Sequence, residues 1–331
     1  MTERDTIPPK PRRILFLIYD GFEILDLAGP SAVFSACNPE AGPNNYEIKV
    51  ISAEGGSVKS NAGPETISEP MNGVTPGDGD TLFIVGGDQP ALDRIMENEA
   101  LKLWLTDAVP AVSRFGSFCM GSMVLADVGL LDEKSAVTHW AAVRRLAKDY
   151  PQVLLKPESL YVKDRKIWTS AGATTGIDMA LAMVAEDLGV KVMGEVAQRL
   201  IIYAHRPGND SQNSSVLDAQ ITAGDTFSGV IAWLSTQLDQ PIKVADMADV
   251  AGMSERNFYR KFTAKLGITP SKYLEQLRLE RGKQFLEAGM PLKTVAPSVG
   301  FRSEAGFRSA FQTRFGVSPS FLQQSIKKRE D

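Results

Sequence analysis

The chain is poor in cysteine and equally poor in histidine: among its 331 residues are two cysteines, Cys37 and Cys119, and two histidines, His139 and His205. Two cysteines far apart in a long chain make no disulfide framework, so any part they play is as single thiols. No run of eighteen apolar residues occurs, and the N-terminal MTERDTIPPKPRR lacks the apolar stretch of a signal peptide or anchor. The expectation is a cytoplasmic protein with no membrane partner. No heptad array or low-complexity tract is visible, and nothing in the sequence calls for a metal or a cofactor.

What is present is ordinary globular composition, 43% hydrophobic and 23% charged. A length of 331 residues exceeds what one hydrophobic core usually organises and points to two domains. The net charge of −4 conceals an asymmetry: residues 225–331 carry 16 Lys and Arg against 11 Asp and Glu, whereas the rest of the chain carries 20 against 29. A basic end on an acidic body suits a nucleic-acid-binding module attached to a domain that does not bind nucleic acid.

Short apolar runs at 12–19 (RRILFLIY) and 81–85 (TLFIV) read as buried parallel strands. YEIKVIS (46–52) and the stretch ending at Phe118 are further strands, and 153–171 reads as a hairpin. Segments with helical spacing, such as Asn98–Val109 and Thr174–Leu188, alternate with them. The pattern predicts an α/β fold with a mostly parallel sheet, a flavodoxin-like three-layer sandwich, followed by an all-α domain with two helix-turn-helix motifs. The predicted boundaries are a disordered tail (1–10), the α/β domain (11–205, closing on a helix that ends near His205), a polar linker (206–224, opening with RPGNDSQNSS), the helical domain (225–326) and a second tail (327–331).

The helical domain contains an internal duplication. In its first half, Val244, Met247, Ala248 and Val250 space as one face of a short helix, Gly252 supplies a turn, and Ser254 is placed to cap the next helix. That helix buries Phe258 and Phe262 and presents Arg256, Asn257, Arg260, Lys261 and Lys265, donors suited to phosphates and base edges. In the second half, Val295, Ala296 and Val299 form the first helix, Gly300 the turn and Ser303 the cap, with Phe307 and Phe311 buried and Arg302, Ser303, Glu304 and Arg308 at the reading end. One offset of 49 residues aligns Ser254 with Ser303, Phe258 with Phe307, Phe262 with Phe311, Gly267 with Gly316 and Pro270 with Pro319. Between the halves, Pro270 and the run Ser271–Ala288 predict a rigid helix of about 27 Å at about 1.5 Å per residue. Recognition helices about one duplex turn apart, roughly 34 Å, enter successive major grooves. Pro297 within its short helix and Gly306 within the second recognition helix make the second half the weaker reader by propensity.

MSERNFYRKFTAKLGITPSKYLEQLRLERG and VGFRSEAGFRSAFQTRFGVSP resemble the AraC/XylS family of transcription regulators, over about residues 226–326. Phe321-Leu322 replaces the family's tyrosine-arginine. The resemblance implies double-stranded DNA as partner, a homodimer pairing through the N-terminal domain, and contact with RNA polymerase.

SFCMGSMVLADVGLLD places Cys119 between a strand and a helix, the geometry of a nucleophile elbow, where a helix N-terminus favours thiolate. Together with YDGFEILDLAGPSAVF, FIVGGD, THW and TSAGATTGIDMALAMV, it resembles the ThiJ/PfpI superfamily over about residues 11–205. Joined to the C-terminal module, the chain is similar to the GlxA-type branch of AraC regulators. That resemblance implies a small-molecule effector, nitrogen-containing, bound by a sensor domain, and puts Asp26 opposite the cysteine. Met120 stands where hydrolytic relatives hold His, so the adjacent Cys-His pair is missing. The candidate pocket comprises Asp26, Gly86, Gly87, Cys119, Met120, His139 and Thr174, and the candidate catalytic groups are Cys119, Asp26 and His139. Alternatives stay open at each. Cys119 is a pocket residue, a redox sensor or a nucleophile; Asp26 a helix cap, a proton donor or both; His139 a packed side chain or a base. Gly86 and Gly87 hold an anion or only turn the chain, and Thr174 and Thr175 cap a helix before they touch a ligand. An isonitrile hydratase or amidase with an attached DNA-binding domain is the rival reading, and the sensor reading implies no catalysis.

Overall fold

The computed structural model describes residues 10–38, 44–212, 227–287, 289–315 and 317–323. Both expected tails (apart from Lys10), the linker beyond Gln212, Ala288 and Gly316 lie outside them. The chain divides into two compact units, Met1–Gln212 and Asn213–Asp331.

The first unit is built on β1 (Arg12–Leu17), β2 (Tyr46–Ser52), β5 (Thr81–Ile84), β6 (Arg114–Ser117) and β10 (Ile167–Ser170), with β3 (Gly56–Lys59), β4 (Glu65–Pro70) and β9 (Tyr161–Asp164) completing an eight-stranded sheet in the order β3-β4-β2-β1-β5-β6-β10-β9. The pairs from β4 through β10 are parallel; β3–β4 and β9–β10 at the edges are antiparallel. Successive side chains of a strand leave on opposite faces, so a sheet covered on both sides must be apolar throughout. Leu15, Leu17, Leu82 and Ile84 accordingly join one core, and Ile14, Phe16, Phe83 and Val85 the other. The first core is closed by α2 (Gln89–Met96), α3 (Glu99–Ala111), α4 (Ser122–Asp127) and α5 (Val143–Asp149), the second by α1 (Ile24–Ala36), α6 (Thr174–Leu188) and α7 (Val190–Arg199). The result is the expected three-layer sandwich.

Edge elements escaped the sequence reading. β3 and β4 bury only Val58 and Ser68, too few apolar positions to register as strands. The expected 153–171 hairpin is shorter, β9 with β10, because β8 (Leu154–Leu155) pairs instead with β7 (Ser135–Ala136) in a separate two-stranded sheet. No helix runs to His205: Gly189, at φ +93°, separates α6 from α7, which ends at Arg199. Nor does 206–212 behave as linker. Arg206 donates to both carboxylate oxygens of buried Asp178, the Leu160 N–H donates to the Gly208 carbonyl, and the Gln212 amide donates to the Thr138 and Pro157 carbonyls. Polar composition alone does not distinguish a solvated segment from one whose polar groups are all matched by the domain it lies on.

The described part of the second unit is helical: Ser228–Thr236, Val244–Val250, Glu255–Leu266, Pro270–Glu287, Leu292–Ser298 and Glu304–Phe315, then a helical turn at 319–323. Phe258 and Phe262 are buried against Phe227 and Tyr273, and Phe307 and Phe311 form the matching pair in the second half. Val250, expected on the buried face, is 43% exposed. The helix Leu292–Ser298 continues through Pro297.

Candidate functional site

The loops that follow β1, β5, β6 and β10 converge at the carboxyl edge of the sheet, where open α/β folds place their sites. After β6 the backbone turns sharply. Cys119 adopts φ +51°, a left-handed conformation costly to a residue with a Cβ, and opens a 3-10 turn to Gly121 that runs into α4. The turn after β10 is strained as well, with Ala173 at φ +47°. Two such residues in adjoining loops cost on the order of 1–3 kcal/mol each, and strain of this kind persists where surrounding structure over-determines the backbone.

That structure is close packing around Cys119. A Cβ on Gly86 would lie 2.5 Å from Asp26 Oδ2 and 2.6 Å from Cys119 Cβ, and one on Gly172 would overlap the cysteine's own Cβ. Gly86 therefore serves to let the carboxylate and the cysteine close in on either side of it. Its carbonyl accepts from the Glu23 N–H, 2.8 Å, which fixes the start of α1 against the end of β5. Gly87 packs against Tyr19 in the same way.

Asp26 is fully buried. Its Oδ1 accepts from the Ala173 N–H at 2.6 Å, and its Oδ2 lacks a hydrogen-bond partner. Burial pushes its pKa up to about 7; the Ala173 N–H lowers it, the Glu23 charge raises it, and the Gly86 N–H beside Oδ2 lowers it a little without completing a bond. The helix-cap alternative belongs to another residue: Glu23 is the N-cap of α1 and accepts from the Leu25 N–H.

Cys119 does not have the lowered pKa that an elbow suggests. Burial raises it first and the neighbouring Asp26 carboxylate raises it further, while the Met120 N–H on the sulfur only partly opposes them. The helical segment behind it is one 3-10 turn and six residues, too short a dipole to compensate. The group in this site is a neutral thiol next to a carboxyl that titrates near neutrality. Cys37, the C-cap of α1, is buried, its thiol donating to the Val33 carbonyl.

His139 lies one residue beyond Thr138, whose hydroxyl donates to the Cys119 carbonyl at 3.2 Å. Its ring forms no hydrogen bond to the sulfur; Nδ1 accepts from the Ala141 N–H at 3.3 Å and the ring lies against Trp140. Burial lowers its pKa, opposed by Glu23. Thr174 is the first residue of α6 rather than its cap. Its hydroxyl accepts from Arg206 at 2.9 Å, while Thr175 donates to the Gly172 carbonyl.

Composition and spacing did not single out Tyr19, Ser117, Arg206 or Gln212. The Tyr19 and Ser117 hydroxyls are buried without partners, and burial, with the Asp26 carboxylate adding to it, holds the Tyr19 pKa well above its ordinary value. Strand-end position was the signal available for both. Arg206 and Gln212 had none, because each acts on residues far away in sequence. Through them the chain leaving the first unit is bonded to both sides of the site: Arg206 to Thr174, beside the Ala173–Asp26 bond, and Gln212 to Thr138, beside the Thr138–Cys119 bond.

In the second unit, Arg256, Arg260, Lys261 and Lys265 are exposed on the helix Glu255–Leu266. Arg260 donates to Asn257 Oδ1, and among the described residues the other three cations form no ion pair. On the second recognition helix Arg308 is already engaged, bonded to Glu304 and to Ser320, and exposed Arg302 lies just before the helix. The caps differ too. Ser303 accepts from the Gly306 N–H at 3.1 Å, whereas Ser254 holds the N-cap position without a side-chain bond. Ser303→Ala is therefore expected to cost about 1 kcal/mol, and Ser254→Ala a few tenths. Amide exchange of the two recognition helices checks this, and equal losses would contradict it.

A three-layer sandwich with a strained cysteine turn at its sheet edge, on one chain with a duplicated helix-turn-helix, defines a fusion of two known classes. The chain belongs to the DJ-1/PfpI family, whose model matches residues 12–186, and residues 247–325 match a helix-turn-helix domain. It is 28% identical to the HTH-type transcriptional regulator CdhR of Pseudomonas aeruginosa, covering 92% of this chain and 89% of that one, and 26% identical to the HTH-type transcriptional regulator GlxA of Rhizobium meliloti, covering 95% and 96%. Isonitrile hydratase of Pseudomonas putida is 30% identical over 60% of this chain and 82% of its own. A ThiJ/PfpI family protein from Pseudomonas syringae shares the fold, with a TM-score of 0.53 at 24% identity over 63% of this chain and 85% of that one. Among the described residues no helix is long and apolar enough to cross a membrane.

Proposed function

We propose that the chain is a transcription regulator that reads DNA with both helix-turn-helix motifs and responds to a small molecule at the Asp26–Cys119 junction. The observation that carries the DNA-binding part is the duplicated helix-turn-helix whose first recognition helix exposes cations that form no ion pair among the described residues, in a chain similar over nearly its whole length to HTH-type regulators. Three buried oxygens without partners, on Tyr19, Asp26 and Ser117, support the sensor part, since such groups are satisfied by a ligand or by water. An effector with a nitrogen donor suits Asp26 Oδ2. Arg206 and Gln212 are the route by which occupancy acts on the segment leading to the DNA-binding unit; the ligand must favour one arrangement over another for this to shift an equilibrium. The active species is a homodimer.

Cys119 acts here as a pocket residue, because a half-buried neutral thiol is a poor nucleophile and a poor peroxide sensor. The enzyme alternative has one point in its favour, the Asp–Cys pair in a strained turn of a chain similar to isonitrile hydratase. Thermal-shift screening of a metabolite panel identifies the effector as a compound that stabilises the native protein. Cys119→Ala is then expected to keep effector-dependent DNA binding. Turnover of that compound, abolished by the substitution, would establish the enzyme reading instead.

A further inference from the structure

The two helix-turn-helix halves have separate cores. One, built around Phe258 and Phe262, takes Leu274 and Leu277 from the long helix Pro270–Glu287; the other, built around Phe307 and Phe311, takes Leu279 and Leu286. No residue belongs to both, so the change of core falls at Arg278. Its guanidinium reaches back across the seam, Nε donating to the Leu238 carbonyl at 2.9 Å and Nη2 to the Gln240 carbonyl at 2.5 Å, in the loop that precedes the first motif.

The second motif meets the same point through Gly300, its turn residue, at φ +74°. A Cβ there would overlap the Leu238 oxygen and approach Arg278 Nη2 to 2.6 Å. Three segments thus converge on one guanidinium: the loop before the first motif, the linking helix and the turn of the second motif. Apolar packing does not fill the seam around them. It holds two recesses of about 250 and 300 Å³, lined by Ile242, Lys243 and Phe301 among others.

We propose that the Arg278–Gly300 clamp determines the spacing between the two DNA half-sites that one chain reads. The proposal rests on the DNA-binding reading. A helix fixes the separation of the motifs along its axis, but with no shared core their mutual angle depends on a contact off that axis, and the clamp supplies it. Two reading heads accept only one spacing of boxes when that angle is held, since each base pair inserted rotates the second box by about a tenth of a helical turn.

The test is selection from random-sequence duplex DNA with the full chain, comparing wild type with Arg278→Met, which keeps the stem and removes the donors, and with Gly300→Ala, which pushes on the clamp from the other side. Wild type is expected to enrich two boxes at a single spacing. Both variants are expected to enrich the same first box, with the preference for that spacing over neighbours two base pairs away reduced about tenfold. Should a variant fail to fold, wild type on synthetic duplexes carrying its own boxes two base pairs closer or farther apart still decides: a loss of about tenfold supports the clamp, and equal binding overturns it. Variants that keep the single spacing undiminished, or a wild type that enriches one box only, also overturn it. Enrichment of no sequence by wild type would overturn the DNA-binding reading itself.

Discussion

In Asp26→Asn the stability of the α/β unit is expected to lose most of its decline between pH 4 and pH 8. The wild-type carboxyl has its folded pKa raised to about 7 from an ordinary 3.8. Between those values the folded state holds a proton that the unfolded state has released, so raising the pH favours unfolding. The contribution is fully present below about pH 4 and is lost as pH rises through 7. At about 1.4 kcal/mol per pKa unit the difference is on the order of 4 kcal/mol. Asparagine keeps an acceptor for the Ala173 N–H and carries no charge to bury. Both cysteines lie in the first unit, so urea-dependent thiol labelling at pH 4.5, 6 and 8 follows that unit alone. Parallel pH curves for wild type and variant would show that Asp26 is not held in its neutral form. The proposed binding of an effector at Oδ2 is accordingly expected to depend on pH around neutrality, because a carboxyl donates a hydrogen bond and a carboxylate only accepts one.

Replacing Arg256, Arg260 and Lys261 together by alanine is expected to weaken DNA binding on the order of 100-fold, from roughly 1 kcal/mol or more for each contact. The slope of log K against log salt should fall by about 2 to 3, since each lost phosphate contact removes about 0.9. Arg302→Ala with Arg308→Ala is expected to cost less than a triple loss scaled for number, because Arg308 must first give up Glu304 and Ser320. Titrations at several salt concentrations separate the outcomes. An unchanged slope in the triple variant would remove these side chains from the interface, and equal cost per residue in both helices would refute unequal halves. The structure changes the basis of that inequality. Pro297 is accommodated in its helix, and the Gly306 N–H donates to the Ser303 cap. Charge already spent within the protein is the sounder reason.

Much of this molecule was determined by local sequence. Apolar runs and helical spacing specify β1, β2, β5 and α6, because a strand or helix buried on a known face needs apolar residues at a fixed period. The duplication needed only like residues at one offset, and Gly86, Asp26 and Cys119 were found as turns and helix starts at strand ends. Tertiary structure decided what those residues are. Whether Cys119 is thiolate or thiol depends on water excluded by Gly86 and Gly172, from two other loops, and by Asp26 in the first turn of α1, and desolvation has no local signature. Whether 206–212 is linker or strap depends on Asp178 and Thr138, distant in sequence. The paired readers with which the C-terminal sequence announces itself are likewise legible singly; how they are held to one another rests on Arg278 meeting Leu238 and Gly300, a contact made only when the helices are in place.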